Sequence, residues 1–186
     1  MKIFKNKDSD ICYAISKGNR NTLSFLFNEY YSHLYNYGMK LLHRDDEMIK
    51  DCIQDVFLSM WINRERIAEV KSIRSYLFSA LRFTVYDELE KSKTRLIREN
   101  KYHEEMDSEL YDIEELMIHF EIKMERKNLV EESLKKLSKR KKEAIYLRFF
   151  QGLSNEEIAS IMNINTQSVY NLISESIAQL QRFVSK

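Results

Sequence analysis

Apolar residues recur every three or four positions along three long stretches in the first half of the chain. This spacing predicts three amphipathic helices. The first covers 20–42, with a short helix expected before it. The second covers 46–63, where apolar pairs repeat every four residues and Asp45 and Asp46 suit the positive end of a helix dipole. The third covers about 72–92 and then trails into EKSKTRLIR.

Shorter apolar repeats in the last third predict helices over 126–137 and 139–150. Beyond them, Ser154 and Glu157 have the spacing of a capping box, which fixes a helix start at 154. Asn165 is the predicted cap of one more helix.

The two capped helices are joined by a tight turn in which Asn163 can take the left-handed conformation. Ala159 is small where the helices would cross, and the expected shared core is Ile158, Met162, Ile164, Val169 and Leu172. This is the pattern of a helix-turn-helix, whose second helix enters a DNA groove. An αα-hairpin without DNA binding is the alternative.

Composition supports an all-α protein. The 186 residues include three Gly and no Pro, with 44% hydrophobic and 32% charged residues, which leaves few strand and turn signals. The chain is long enough for two small domains.

No apolar run approaches the roughly 20 residues needed to span a bilayer, so we expect no membrane insertion and a cytoplasmic location. Cys12 and Cys52 have no metal-ligand spacing, so we expect reduced thiols, no metal and no cofactor.

Charge divides the chain into three parts. Residues 1–95 carry a net charge of +3, residues 96–125 carry −7, and residues 126–186 carry +5. We therefore predict an N-terminal domain over 1–95, an acidic linker over 96–125 with one short helix near 112–122, and a C-terminal domain over 126–186.

Three ordered motifs carry a family resemblance. DCIQDVFLSMW at 51–61, IRSYLFSALRFTVYDEL at 73–89 and the stretch from LVEESLKKLSKR to SVYNLI at 129–173 resemble an extracytoplasmic-function sigma factor. The resemblance covers about 20–95 and 126–182. It implies a promoter-specificity subunit that binds core RNA polymerase and promoter DNA and is not itself an enzyme. Many relatives are held by an anti-sigma factor, although no residue here identifies one.

The resemblance places polymerase binding on the second helix. Asp51, Gln54, Asp55 and Trp61 would then face the clamp helices of the largest polymerase subunit. Acids and an amide on a stable helix can pair with Arg and Lys of a partner helix. The alternative makes Asp51 and Asp55 a solvated face and Trp61 part of the core.

The third helix would recognise the minus-ten element and capture its opened strand. Arg74, Tyr76, Phe78, Arg82 and Phe83 combine cations with aromatic rings, on which bases stack with about 1–3 kcal/mol each. About half of these aromatic residues are expected in the core. Family members often have Asn where this chain has Phe83, which leaves the preferred minus-ten bases open.

The second helix of the helix-turn-helix would read the minus-thirty-five element. Its candidates, which suit adenine and other base edges, are Thr166, Gln167, Ser168, Tyr170, Asn171 and Ser174. Cations cluster upstream, at Lys135, Lys136 and 139–142, where they can meet phosphates or polymerase. Glu175 stands where relatives often have a cation, which predicts weaker phosphate contact. The acidic linker would thread toward the polymerase active-site and RNA-exit channels; a solvated spacer is the alternative.

Other classes of protein make different predictions. A ligand-responsive helix-turn-helix regulator would bind an operator without polymerase. A helical adaptor would show no promoter specificity. An enzyme is the weaker rival, because the sequence shows no Gly-rich phosphate loop, metal cluster, or nucleophile with a plausible base.

Overall fold

A computed structural model describes residues 8–42, 46–98, 134 and 136–184, and within them all regular elements are helical. The chain divides into two compact units, Met1–Met106 and Asp107–Lys186. The described part of the first unit contains α1 (Asp8–Ser16), α2 (Arg20–Leu42), α3 (Asp46–Ile62), α4 (Arg64–Ile67) and α5 (Ile73–Arg98). That of the second contains α6 (Lys139–Ile145), a π-helical turn (Tyr146–Phe150), α7 (Asn155–Met162) and α8 (Thr166–Val184). The all-α prediction is confirmed.

The core of the first unit lies where α2, α3 and α5 pack against one another. The apolar face predicted for α3 is confirmed, since Ile49, Ile53 and Met60 are fully buried. Tyr37 of α2 packs on Phe78 of α5, with ring centroids 5.2 Å apart. These contacts hold α3 and α5 so that each keeps one face exposed.

Helix α3 begins at Asp46, which confirms the position predicted for this acid at the helix start. Tyr35 of α2 donates a hydrogen bond to its carboxylate, and Lys50 lies 2.6 Å from it one turn along α3. The bonds from Lys50 and Tyr35 hold the pKa of Asp46 below its ordinary value. Asp46 therefore joins the beginning of α3 to the middle of α2.

Several helix predictions need correction. Helix α3 ends at 62, not 63. Helix α5 continues to Arg98 instead of ending at 92, because the Lys, Arg and Leu residues that follow favour helix and no Gly or Pro stops it. The stretch 139–150 is not one α-helix: from Tyr146 it widens into a π-helical turn, in which the Gln151 N–H donates to the Tyr146 carbonyl at 3.2 Å.

The helix-turn-helix of the second unit has the predicted caps. Ser154 and Glu157 form both bonds of the capping box, and the Asn165 side chain accepts from the Ser168 N–H at 2.7 Å. Asn163 lies in the left-handed region with φ 52°. In the expected core, Ile158, Ala159, Met162 and Val169 are buried, whereas Ile164 and Leu172 are half-buried.

A second apolar cluster supports α8 further along the same side of the helix. Leu134, Leu137, Ile145 and Leu180 are buried together, with Phe149, Phe150 and Ile177 packed against them. The prediction of a helix over 126–137 is wrong at its end: Leu134 is helical, but 136 and 137 form a turn in which the Leu137 N–H donates to the Leu134 carbonyl at 3.1 Å. The rest of that stretch, 126–133 and 135, lies outside the described residues. The short helix predicted near 112–122 also lies outside them, as does the predicted linker apart from 96–98, where α5 continues.

Among the helices of the described segments, none has the length and apolar character required to cross a membrane.

Candidate functional site

Helix α3 exposes a face with acids at one end and large aliphatic residues at the other. Asp51, Gln54 and Asp55 are exposed, and so are Leu58 (57%) and Ile62 (65%). Their spacing of three and four residues places them on one side of the helix. We call these five residues the outer face of α3. Charge and apolar area together suit a protein partner.

Trp61, which sequence reasoning grouped with Asp51 and Asp55, lies at the edge of this face, seven residues after Gln54. The indole is half-buried, and the Arg64 guanidinium carbon lies 5.3 Å from its centroid. Arg64 also donates to the Trp61 carbonyl at 3.3 Å. Gly18 lies close by, since a β-carbon built on it would be 4.0 Å from Trp61 Cη2. These contacts favour a packing role for Trp61.

Leu58 and Ile62 were missed by sequence reasoning because apolar residues on a helix are first assigned to its core. The signal was nevertheless present. Leu58 follows Asp51 by seven residues and Asp55 by three, whereas the buried residues of α3 follow the series 49, 52, 53, 56, 57 and 60. Both residues are out of register with that series and in register with the acids.

Helix α5 places a half-buried cation beside two exposed aromatic rings. Phe83 is 73% exposed and Tyr86 is 43% exposed. The Arg82 guanidinium carbon lies 4.7 Å from the Tyr86 ring centroid, in cation–π geometry. We call these three residues the aromatic face of α5. Tyr86 was missed because it falls outside the run from Arg74 to Phe83, yet it lies three residues beyond Phe83, about one turn along the helix.

The other α5 candidates are less open. Phe78 is fully buried, so it belongs to the half of the aromatic set that was expected in the core. Arg74 lies over the Phe78 ring at 5.9 Å and is half-buried. Tyr76 is also half-buried, and this burial raises the pKa of its hydroxyl. The exposed part of the α5 set is thus concentrated around Phe83.

One cation near the end of α5 is tied to acids of its own helix. Lys91 Nζ lies 2.8 Å from an Asp87 carboxylate oxygen and 2.7 Å from one of Glu88. Hydrogen bonds to Asp87 and Glu88 raise the pKa of Lys91 above its ordinary value. Because two carboxylates surround one ammonium group, these three side chains together would repel a phosphate at this point.

Helix α8 exposes most of the residues expected to read bases. Gln167, Tyr170, Asn171 and Ser174 are exposed, the tyrosine by 53%, whereas Thr166 and Ser168 are half-buried near the helix start. Gln167 Nε2 donates to Asn171 Oδ1 at 3.1 Å, which orders the two amides side by side. These amides have the donor and acceptor pairs that match adenine in the major groove.

The basic cluster begins at the N-terminus of α6. Ser138 caps this helix by accepting from the Lys141 N–H at 3.4 Å. Lys136, Lys139 and Arg140 are exposed, whereas Lys141 and Lys142 are half-buried; Lys135 lies outside the described residues. Lys141 Nζ lies 3.0 Å from Glu175 Oε2, so one cation of the cluster is paired with an acid of α8.

No set of three His, Cys, Asp or Glu side chains in the described segments is arranged to hold a metal ion.

Two family models match the chain. Sigma-70 region 2 matches residues 26–95 and sigma-70 region 4 matches residues 127–180. The first match contains α3 and most of α5, and the second contains α7 and most of α8.

Two related proteins align with this chain over most of their length. The chain is 25% identical over 167 residues to the RNA polymerase sigma factor YlaC of Bacillus subtilis, covering 90% of this chain and 94% of that one. It is 23% identical over 168 residues to SigZ of the same organism, covering 86% and 85%.

Two solved structures share the fold. CnrH, in complex with the cytosolic domain of CnrY, gives a TM-score of 0.64 at 17% identity, covering 97% of this chain and 98% of that chain. The sigma factor RpoE of Bartonella quintana, in complex with the anti-sigma factor NepR, gives 0.56 at 17% identity, covering 100% and 98%.

The chain belongs to the sigma-70 family, as an extracytoplasmic-function sigma factor. It is a promoter-specificity subunit that binds bacterial core RNA polymerase and directs transcription initiation at selected promoters. Its family consists of regulatory initiation factors.

Proposed function

We propose that the outer face of α3 is the surface that binds core RNA polymerase. Asp51, Gln54 and Asp55 would pair with basic residues of the polymerase clamp helices, and Leu58 and Ile62 would be buried beside them. The observation that supports this assignment most is the exposure of two large aliphatic side chains next to two acids on a well-packed helix. Such exposed apolar area is costly unless a partner covers it. Trp61 would support α3 by packing at the edge of this face.

The aromatic face of α5 would capture the opened minus-ten strand. Arg82 holds the Tyr86 ring and adds positive charge next to Phe83, which are the features that single-stranded DNA needs for stacking and phosphate contact. Tyr76 and Arg74 are half-buried and would contact the strand at the edge of this face.

The helix-turn-helix would read the minus-thirty-five element through α8. Gln167 and Asn171 would contact base edges, with Tyr170 and Ser174 on the same exposed side and Thr166 and Ser168 at the helix start. The cations of α6 would contact phosphates. The affinity of α8 for DNA can be modest, because core polymerase and the first unit hold this helix near DNA and raise its effective concentration.

The proposal also covers organisation and partners. The N-terminal domain would extend over 1–95 and the C-terminal domain over 126–186, joined by the acidic segment 96–125. The protein would work in the cytoplasm, without a catalytic step of its own. The two related folds were solved with CnrY and with the anti-sigma factor NepR, which supports an anti-sigma factor as a third partner.

Selection of promoters from a randomised DNA pool tests the DNA-reading assignment. Holoenzyme assembled from the wild-type chain and core polymerase should recover a minus-thirty-five and a minus-ten motif. Gln167→Ala should change the base preferred at one or two upstream positions, by about 1–3 kcal/mol of discrimination, and leave the minus-ten motif unchanged. Gln181→Ala is the matched control, because Gln181 is exposed on α8 about 21 Å further along. Identical upstream motifs from wild type and Gln167→Ala would contradict the assignment.

A further inference from the structure

Glu175 continues the exposed side of α8 on which the candidate base-reading residues lie. It follows Gln167 by eight residues and Asn171 by four, and its side chain is 61% exposed. Residues four apart are neighbours along a helix surface. Position 175 is the tenth residue of α8, past the first turns that contact base edges in a helix-turn-helix. Its surroundings in a DNA complex would therefore be phosphates rather than bases.

The partner of Glu175 comes from the basic cluster. Lys141 of α6 directs its ammonium group to the Glu175 carboxylate at 3.0 Å, and only 22% of the lysine side chain is exposed. The pair thus joins two helices of the second unit. Helix α8 has no Lys or Arg before Arg182. The positive charge in contact with this part of α8 therefore comes from Lys141 of α6.

An acid at this place opposes DNA in two ways. Its own charge repels phosphates, and it occupies a lysine that would otherwise attract them. The Glu175 end of the pair is exposed, and water screens an ion pair there, so its contribution to stability is small. Each cation that neutralises a phosphate, in contrast, releases counterions and raises DNA affinity strongly at low salt.

We propose that Glu175 sets the DNA affinity of the second unit by pairing with Lys141 and withholding it from the phosphate backbone. The inference rests on the proposed role of α8 in reading promoter DNA, and adds a residue that limits this contact. The second unit would then stay bound to upstream DNA only with the help of core polymerase and of the minus-ten contact.

A double-mutant cycle tests this inference. Holoenzyme is assembled with wild type, Glu175→Gln, Lys141→Gln or both changes, and its affinity is measured over a salt series for a fluorescent promoter duplex recovered by the wild type from the randomised pool. Glu175→Gln should tighten the Kd about five- to tenfold near 0.1 M salt and steepen the salt dependence by about one phosphate contact. When Lys141 is also Gln, the steeper salt dependence and most of the affinity gain should disappear, and only the smaller gain from removing the Glu175 charge itself should remain.

Two controls separate the outcomes. Glu156→Gln makes the same charge change at an exposed position of α7 and should give a much smaller gain that does not depend on Lys141. Arg140→Gln should weaken DNA binding if α6 contacts phosphates as proposed. An equal gain from Glu175→Gln with and without Lys141, or no gain, would overturn the inference. If Arg140→Gln and Gln167→Ala also had no effect, the DNA-reading role of the second unit would fail with it.

Discussion

The Asp8 carboxylate accepts a hydrogen bond of 3.1 Å from the backbone N–H of Ile73, so the first residue of α1 caps the first residue of α5. The Ser72 hydroxyl accepts from the Ser75 N–H at 3.2 Å, and the Cys12 thiol lies 3.5 Å from the Val70 carbonyl. The first N–H groups of a helix have no partner inside it. Helix α1 therefore fixes the beginning of the helix to which we assign minus-ten capture.

Removing the Asp8 carboxylate should destabilise the first unit. We expect Asp8→Ala to lower the free energy of unfolding by about 1 kcal/mol, the usual cost of a lost helix cap. Equilibrium unfolding in urea measures this loss of free energy. Asp10→Ala is the control, because Asp10 is an exposed acid in the same first turn of α1. Equal losses in the two variants would show that the bond to Ile73 has no special contribution.

The Cys12 thiol should react slowly in the folded chain and with a shifted pH dependence. Burial, and then the nearby Asp8 carboxylate, raise its pKa to about 11. Alkylation of Cys12 should therefore keep increasing above pH 9 in the folded chain, whereas in urea it should level off near the ordinary thiol pKa. Because the unfolded thiol ionises first, stability should also fall as the pH rises from about 9 to 11. Mass spectrometry of the labelled peptide measures the rates, and coincident pH profiles would contradict this account.

Gly38 lies where α2 and α3 approach closely. A β-carbon built on it would be 2.8 Å from Ile49 Cγ2, closer than packed atoms allow. Although Ala favours helix over Gly, we expect Gly38→Ala to destabilise the chain by about 1–3 kcal/mol through overpacking. Ser32→Ala, on the exposed side of the same helix, should change stability by less than about 0.5 kcal/mol. A Gly38→Ala variant as stable as wild type would show that the helices separate at no cost.

Tyr86 should contribute to minus-ten strand capture through its ring. Tyr86→Ala should weaken holoenzyme binding to a single-stranded minus-ten oligonucleotide by about 1–3 kcal/mol, the value of one stacked base. Tyr86→Phe keeps the ring and the Arg82 contact and should bind nearly as wild type. Anisotropy with a labelled oligonucleotide measures both. Equal loss in the two variants would assign the effect to the hydroxyl, and no loss in either would remove Tyr86 from the site.

Local sequence signals predicted much of the fold. The bounds of α2, the capping box at Ser154 and the left-handed Asn163 all follow from short-range spacing and backbone preferences, and they are confirmed. The four residues of α4 are too few to show a period. The π-helical turn Tyr146–Phe150 has no apolar period of its own that would distinguish it from the α-helix before it.

The candidate site was less accessible to prediction because exposure depends on tertiary packing. Phe78 and Phe83 are both aromatic residues of α5, yet one is fully buried and the other is 73% exposed. Leu58 and Ile62 look like core residues until α3 is placed against α2 and α5. The pairing of Lys141 with Glu175 joins positions 34 residues apart, and only the fold brings them together.

Binding to sigma-free core RNA polymerase tests the role of the outer face of α3 most directly. Asp55→Lys and Leu58→Gln change its acidic and apolar ends. Glu29→Lys makes the same charge change as Asp55→Lys at an exposed position of α2. Phe27 of α2 contacts Phe57 of α3. Glu29 is two residues from Phe27, so its side chain lies on the opposite side of α2 from α3.

The measurement is fluorescence anisotropy of the labelled chain with core polymerase over a salt series. We expect saturable binding by wild type and Glu29→Lys that survives moderate salt. Binding should weaken at least about tenfold in Asp55→Lys, because a reversed charge would meet the basic partner surface, and more modestly in Leu58→Gln. Folded Asp55→Lys and Leu58→Gln variants that bind as tightly as wild type would contradict the account.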